Sequence, residues 1–238
     1  MGIAFKSNSV GNCCLCGSDA NLTGEHKVKA TVLRADHEER KVLFGASTSS
    51  RRKIIQSSKS KGMHFRKKIC LACNSEFTQQ ADLAFDWFHF QLREAIRHGR
   101  SFELSRNALV ATMGAEKHLN FFRYFAKILC MYWAETGGPR PIQIAEFAIG
   151  LSDFNPVLLE ISRDKEYSPS STTNTRTGGF RMWFDRSGTF VTSAESELFC
   201  SGINYYFGAS LNLAASQELE TEFSDYFRSA RDSAIARS

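Results

Sequence analysis

Apolar residues recur every three or four positions in two long stretches of the chain, residues 79–98 and 115–135. Each stretch carries its apolar side chains on one face at helical spacing, and glycine follows each, as is common where a helix ends. A stretch of similar length covers residues 214–235, and a shorter one covers residues 30–36. The pattern predicts a helix at each of these positions.

Alternating apolar and polar residues predict strands in the C-terminal half of the chain. Residues 180–184 and 188–192 predict a β-hairpin joined by a short polar turn, and residues 198–207 predict a further strand. Residues 168–179 are rich in Ser, Thr and Gly and predict a loop. Helices combined with antiparallel strands indicate an α+β fold.

The length of 238 residues suits one large domain or two small ones, and we predict two. The first covers residues 1–98, and the second, an α+β accessory domain of unknown role, covers residues 99–238. The 20 phenylalanines predict a largely aromatic core. Residues 45–68 are small, polar and basic, so they are predicted to form a loop with little order of its own.

Positive charge is concentrated near the N-terminus. Residues 1–80 contain 14 Lys and Arg against 6 Asp and Glu, whereas residues 81–238 contain 16 against 19. A basic region suits binding to nucleic-acid phosphates, but a solvated basic surface without a partner explains the same numbers. There is no apolar run of the roughly 18 residues that a membrane-spanning helix needs. The N-terminus is too polar for a secretory signal, so we expect a cytoplasmic protein with no membrane contact.

Four of the seven cysteines form two Cys-x-x-Cys pairs, Cys13/Cys16 and Cys70/Cys73. In a chain expected to stay in the cytoplasm, this spacing favours metal binding over disulfides. Four thiolates make a closed tetrahedral zinc site, which is structural because it leaves no position open for catalysis. We predict a structural Zn²⁺ held by these four residues, with Cys14 as the residue most easily confused with a ligand.

Polar residues follow the two cysteine pairs in a fixed order. Glu25 and His26 come after the first pair, Asn74 follows Cys73 directly, and Asp82 stands near the start of a predicted helix. This ordered set resembles the HNH (ββα-metal) endonuclease family, in its branch where two Cys-x-x-Cys pairs frame the motif. The resemblance covers residues 13–90 and implies an N-terminal ββα-metal core with a structural zinc.

The resemblance also implies a metal-dependent endonuclease that hydrolyses DNA phosphodiester bonds. His26 would be the general base, because imidazole titrates near neutral pH. Glu25 and Asp82 would bind a catalytic Mg²⁺ or Mn²⁺, since hard cations prefer carboxylate oxygens. Asn74 would hold the catalytic loop in place by hydrogen bonds.

The third ligand of the catalytic metal has rivals on the same predicted helix. Asp86 and His89 follow Asp82 at the fourth and seventh positions and share its face. Either could replace or assist Asp82. His89 is the stronger rival, because members of the family often end their motif with histidine.

Basic residues in and after the loop are predicted to contact DNA phosphates, which would add affinity and salt sensitivity rather than sequence choice. These residues are Arg51, Arg52, Lys53, Lys59, Lys61, Arg66, Lys67 and Lys68.

Two other hypotheses fit the same residues. One is a zinc-knuckle module that binds nucleic acid without cutting it. The other is a Cys-x-x-Cys redox protein, which requires a thioredoxin-like βαβ context that the pattern does not show. RNA is left open beside DNA as the partner, and the C-terminal region could form a homo-oligomer or bind another protein. Restriction or antiviral defence is a biological setting suggested by analogy alone.

Overall fold

The computed structural model describes residues 2–9, 11–39, 41–46, 53–54, 57, 59–100, 113–164 and 172–236. Its helices have the following bounds: α1 Ala30–Glu39, α2 Gln79–Arg97, α3 Ala115–Glu135, α4 Ile142–Ala148, α5 Leu213–Glu222 and α6 Ser224–Ile235. The helices predicted at residues 79–98 and 115–135 are confirmed as α2 and α3. The single terminal helix predicted over residues 214–235 is wrong in one respect, because Phe223 leaves helical geometry and separates α5 from α6.

The strands range from two residues to ten, and the two longest lie near the C-terminus. They are β1 Phe5–Lys6, β2 Leu22–Thr23, β3 Lys41–Ala46, β4 Lys53–Ile54, β5 Ile69–Cys70, β6 Arg140–Pro141, β7 Leu158–Arg163, β8 Thr172–Thr177, β9 Arg181–Phe184, β10 Val191–Cys200 and β11 Ile203–Ser210. Seven of these described strands form one sheet in the order β4-β3-β8-β10-β11-β7, with β9 paired to β10. Its pairs are antiparallel except β3 with β8, which run parallel.

The α+β fold class is confirmed, and so is the hairpin, which β9 and β10 form. Two sequence predictions about strands are wrong. The segment predicted as a loop contains β8, because threonine is β-branched and the strand has partners on both sides. The strand predicted over residues 198–207 is the end of β10 and the start of β11, which turn at Ser201 and Gly202 with φ values of 52° and 82°.

The core lies between α2, α3 and the sheet, and it is aromatic as predicted. Phe85 of α2 stacks on Tyr124 of α3 with ring centroids 3.9 Å apart, and Phe125 contacts Tyr205 and Phe207 of β11. All five side chains are buried. Burying a large apolar side chain contributes about 1.5–3 kcal/mol, so this cluster fixes α2 and α3 firmly against the sheet.

Elements from both sides of the predicted domain boundary at residues 98 and 99 share one sheet and one core. β3 pairs with β8, and α2 packs along α3. The core of buried side chains is continuous from Ile3 to Phe227. In the part of the chain that the structure describes, no helix combines the length and the apolar character needed to cross a membrane.

Candidate functional site

An antiparallel ribbon carries the residues that follow the first cysteine pair. β2 pairs with β5, and the ribbon continues to a bridge between His26 and His64. The Lys27 backbone N–H donates to the Met63 carbonyl at 2.7 Å, and the Phe65 N–H donates to the Glu25 carbonyl at 2.9 Å. Helix α2 follows the ribbon after one turn of π-helix at Cys73–Phe77. The ribbon and α2 therefore form a ββα unit.

The four predicted zinc ligands lie together at one end of this ribbon. The Sγ atoms of Cys13, Cys16, Cys70 and Cys73 are all within 4.8 Å of one another. Tetrahedral zinc with bonds of about 2.3 Å needs sulfurs about 3.8 Å apart, and the Cys16 and Cys70 sulfurs are separated by 3.6 Å. The cluster can therefore hold a metal such as zinc. Cys14 is excluded from it, because its buried thiol donates to the Met131 Sδ at 3.0 Å.

Within this cluster, hydrogen bonds favour the thiolate form of Cys13, whereas burial raises the pKa of Cys16. The N–H groups of Ser18 and Cys73 point at the sulfurs of Cys16 and Cys70, at 3.5 and 3.4 Å. A hydrogen bond from the Cys73 thiol lowers the pKa of Cys13 to about 4, and the same pairing together with burial raises the pKa of Cys73. Thiolates are the form that binds metal, so a cation bound here would hold the four cysteines deprotonated.

The backbone turn that contains Cys13 and Cys16 depends on a glycine. Gly17 has a φ of 83°, and a Cβ atom at this position would lie 2.3 Å from the Arg140 guanidinium. Its N–H donates to the Cys13 carbonyl at 2.9 Å, which closes the first cysteine turn. Gly17 can adopt this positive φ without strain, and it therefore allows the tight turn that brings Cys13 and Cys16 together.

The carboxylates of Glu25 and Asp82 both contact one ammonium group, that of Lys127 on α3. The Lys127 Nζ is 2.6 Å from Asp82 Oδ1 and 3.6 Å from Glu25 Oε1. The Lys127 side chain is fully buried, whereas the Glu25 side chain is 13% exposed. Sequence reasoning missed Lys127. In the sequence, Lys127 is marked by being a charged residue in a mostly apolar stretch of the predicted helix. A lysine buried there needs an acidic partner, but the sequence does not say which one.

Burial and pairing oppose each other within this group, which we call the carboxylate cluster: Glu25, Asp82, Asp86, Lys29 and Lys127. Burial raises the pKa of Glu25 despite the attraction of Lys127. Burial alone would lower the pKa of Lys127, but the two carboxylates raise it, so the ammonium stays charged. Asp86 receives a hydrogen bond from Thr31 and lies 3.3 Å from the Lys29 Nζ, which is also 3.8 Å from Asp82 Oδ2.

The carboxylate cluster does not fit a tightly bound divalent cation. Both oxygens of Asp82 face ammonium groups, and the nearest oxygen of Glu25 faces Lys127. Three carboxylates are thus already offset by two lysines. A divalent ion about 4 Å from an ammonium group is repelled by roughly 8 kcal/mol at an effective dielectric constant of about 20, which cancels the attraction of one carboxylate at the same distance. The two lysines therefore cancel most of the attraction of the three carboxylates.

Two histidines face each other across the ribbon. The ring centroids of His26 and His64 are 3.9 Å apart at an interplanar angle of 43°, and both side chains are half-buried. His64 was not among the sequence-predicted site residues, because only strand pairing brings it beside His26. Two partly accessible imidazoles at one place can accept a proton from one group and donate a proton to another.

Asn74 lies where it can hold the segment before Glu25. Its Nδ2 donates to Thr23 Oγ1 at 3.1 Å and to the Gly24 carbonyl at 3.5 Å. Thr23 Oγ1 in turn donates to the Ile69 carbonyl on the opposite strand. The amide of Asn74 therefore links the start of the π-helical turn to the strand that carries Glu25 and His26.

His89 does not lie with the other predicted ligands, which corrects the idea that it rivals Asp82. It is buried in the core, where Nδ1 contacts the Tyr205 hydroxyl at 2.9 Å and Nε2 contacts the Ser201 hydroxyl at 3.1 Å. Burial lowers the pKa of His89 to about 3, so the ring is neutral. Ser201 also binds Asp36, and His89 thus ties α2 to the β10–β11 turn and to α1.

The predicted DNA-contacting residues are only partly described. Arg51 and Arg52 lie outside the described residues, and so does the side chain of Lys53. Arg66 is 84% exposed, with its Nε 3.6 Å from Glu135 Oε1. The others lie on the segment that leads to His64 or continues into β5, and they are Lys59, Lys61 and Lys68, which are exposed, and Lys67, which is half-buried.

Comparisons of the chain with protein-family models, with curated proteins and with solved structures found no match.

Proposed function

We propose that the chain is a nuclease of the HNH type that hydrolyses phosphodiester bonds in DNA. The observation that carries the proposal is the position of Glu25 and His26 on a ribbon anchored by the four cysteines, with Asn74 and Asp82 against it. A water molecule that attacks phosphorus must lose a proton, and the leaving oxygen must gain one. Side chains that exchange protons near neutral pH are therefore needed at one place.

In this proposal the two histidines share the proton transfers. His26 accepts the proton of the attacking water, and His64 donates a proton to the leaving oxygen. The contact between their rings supports this division of roles, because both imidazoles lie at the same point of the ribbon. Asn74 is a positioning residue, because it fixes the backbone just before Glu25 and His26 and does not itself touch the substrate.

The resemblance to HNH enzymes also implies a catalytic Mg²⁺ or Mn²⁺, which would stabilise negative charge on the phosphate. Because Lys127 lies between Glu25 and Asp82, we assign these carboxylates to holding the ribbon against α2 and α3. Whether cleavage requires a divalent ion bound elsewhere is tested by comparing nuclease reactions in EDTA, Mg²⁺ and Mn²⁺.

The basic segment beside His64 supports a polyanionic substrate. Lys59, Lys61 and Lys68 are exposed on it, and the Arg66 guanidinium extends into solvent. Contacts from such side chains go to phosphates, so binding is expected to weaken steeply as the salt concentration rises. The same contacts suit RNA, which remains an alternative substrate. Restriction or antiviral defence is a setting consistent with such an activity.

A zinc-knuckle module that binds nucleic acid without cutting it is the second candidate. One observation favours it specifically: the ammonium of Lys127 already balances the acidic pair that a metal-dependent nuclease would use. The basic segment and the cysteine cluster serve this function equally well. The two candidates differ only in whether His26 and His64 perform chemistry.

Incubation of the zinc-loaded protein with supercoiled plasmid, linear DNA and RNA separates them, with parallel reactions in EDTA, Mg²⁺ and Mn²⁺. We expect cleavage by the wild type and a loss of about 10²–10⁴-fold in rate for His26→Ala, the usual contribution of general acid–base catalysis. His98→Ala, at the exposed end of α2, is the matched control and should cleave normally. Binding without cleavage in every reaction would establish the second candidate instead.

A further inference from the structure

We infer that Lys127 is the resident cation of the Glu25–Asp82 pair and takes the place of a divalent metal ion there. The inference concerns which cation the two carboxylates hold, and it stands whether or not the chain cleaves nucleic acid. It starts from an element outside the ββα unit. Lys127 belongs to α3, yet its Nζ lies between a ribbon carboxylate and an α2 carboxylate.

The first step is the geometry of the ammonium group. A single cation that contacts one oxygen from each of two acids is the role a bridging metal ion would have. Lys127 Nζ makes a short charge-assisted hydrogen bond of 2.6 Å to Asp82 and a longer contact of 3.6 Å to Glu25. The two acids come from elements that follow each other in the ββα unit, so the ammonium fastens that unit to α3.

The second step is the way Lys127 is held. Its side chain is completely buried, and its Nζ lies 5.7 Å from the centroid of the Tyr124 ring. Tyr124 is itself stacked on Phe85 in the aromatic core. An ammonium on a stem fixed in this way cannot withdraw into solvent as a surface lysine does, so an incoming ion meets a charge that stays in place.

The third step is the local charge balance. Lys29 adds a second ammonium group on the other side of Asp82, within 3.8 Å of Oδ2. Hard divalent ions bind where carboxylate charge is left unbalanced, and here most of it is balanced by side chains of the chain itself. Removing the charge of Lys127 alone should therefore convert this place into a site for a divalent ion.

Mn²⁺ is a suitable probe, because it prefers carboxylate oxygens to thiolates and leaves the zinc cluster intact. The full-length, zinc-loaded protein is titrated with Mn²⁺ in the absence of nucleic acid, and bound ion is measured by electron paramagnetic resonance. We expect no saturable site in the wild type that depends on Asp82. Lys127→Met should gain one site that binds at least about tenfold more tightly than the wild type does.

Two further variants make the result specific. The gained site should disappear in the double variant Lys127→Met/Asp82→Asn. Lys117→Met removes the same charge from the exposed start of α3 and should gain nothing. The inference is overturned if Lys127→Met folds but gains no Mn²⁺ site. It is also overturned if the wild type binds Mn²⁺ at a site that Asp82→Asn abolishes, and this comparison decides the matter even where Lys127→Met fails to fold. A negative nuclease assay bears on neither result.

Discussion

The cysteine cluster and the carboxylate cluster hold the same ββα unit in different ways. The cysteine cluster takes its four sulfurs from the two Cys-x-x-Cys segments at one end of the ribbon, and these sulfurs are close enough to bind a cation from outside the chain. The carboxylate cluster takes its groups from the ribbon, α2, α3 and the residue before α1, and it includes cations of its own. The first closes the ribbon on itself, whereas the second joins the ribbon to the rest of the core.

Among the substitutions that compare the two clusters, loss of a cysteine ligand should lower the free energy of unfolding the most. Cys73→Ser is expected to lower bound zinc well below one per chain and to destabilise the protein by several kcal/mol, because metal binding is part of the folding free energy. Elemental analysis and thermal unfolding measure the two effects. Cys14→Ala is the matched control, since its thiol contacts Met131 instead of the cluster. Equal zinc loss in the control would contradict the ligand assignment.

The second largest effect should come from Lys127. Lys127→Met keeps most of the side-chain volume but leaves two carboxylates without their buried partner, and breaking such a pair costs about 3–5 kcal/mol. Lys29→Met removes an ammonium that is 17% exposed and contacts Asp82 and Asp86, so solvent screens it more than it does Lys127 and the loss should be smaller. Urea unfolding of the two variants gives the comparison. Equal losses would show that burial does not distinguish the two lysines.

The smallest effect should be a pH dependence centred on Glu25. Burial raises its pKa above the ordinary value of 4.5, so the folded protein holds the proton more tightly than the unfolded chain does. Its contribution to stability is therefore present below pH 4.5 and is lost as the pH rises through the raised value. The free energy of unfolding of the wild type, relative to Glu25→Gln, should fall over that interval.

Urea unfolding at several pH values measures this difference. Glu94→Gln, at an exposed position on α2, controls for the general loss of a negative charge. A difference that grows with pH would mean that the attraction of Lys127 outweighs burial at Glu25.

The two clusters also differ in how far the sequence predicts them. The spacing within each Cys-x-x-Cys pair is set by one turn of backbone, so four ligands are recognisable from local pattern, and Cys14 is the single source of confusion. Nothing local specifies that α3 packs over the ribbon. The role of Lys127 therefore follows only from tertiary contacts, and so does the pairing that brings His64 to His26.

The long helices and the fold class could be predicted because their apolar repeats extend over many residues. His89 shows where such reasoning fails. It shares a helix face with Asp82 in the sequence pattern, but α2 turns that part of its surface towards the sheet, where Tyr205 and Ser201 bind the ring. The strand β8 was missed for a similar reason, because its partners come from distant parts of the chain.

The parallel pairing of β3 with β8 has a consequence for the order of assembly during synthesis. Lys41 pairs with Thr172, so more than half of the chain is made between the two partners. The cysteine cluster needs only the residues up to Cys73 and can bind a metal while the ribosome is still translating α2 and the helices after it. β4 can pair with one edge of β3 early, but the other edge has no partner until β8 emerges, and contacts of such long sequence separation form slowly. Early metal binding would mean that the ribbon is already folded next to β3 before β8 has been made.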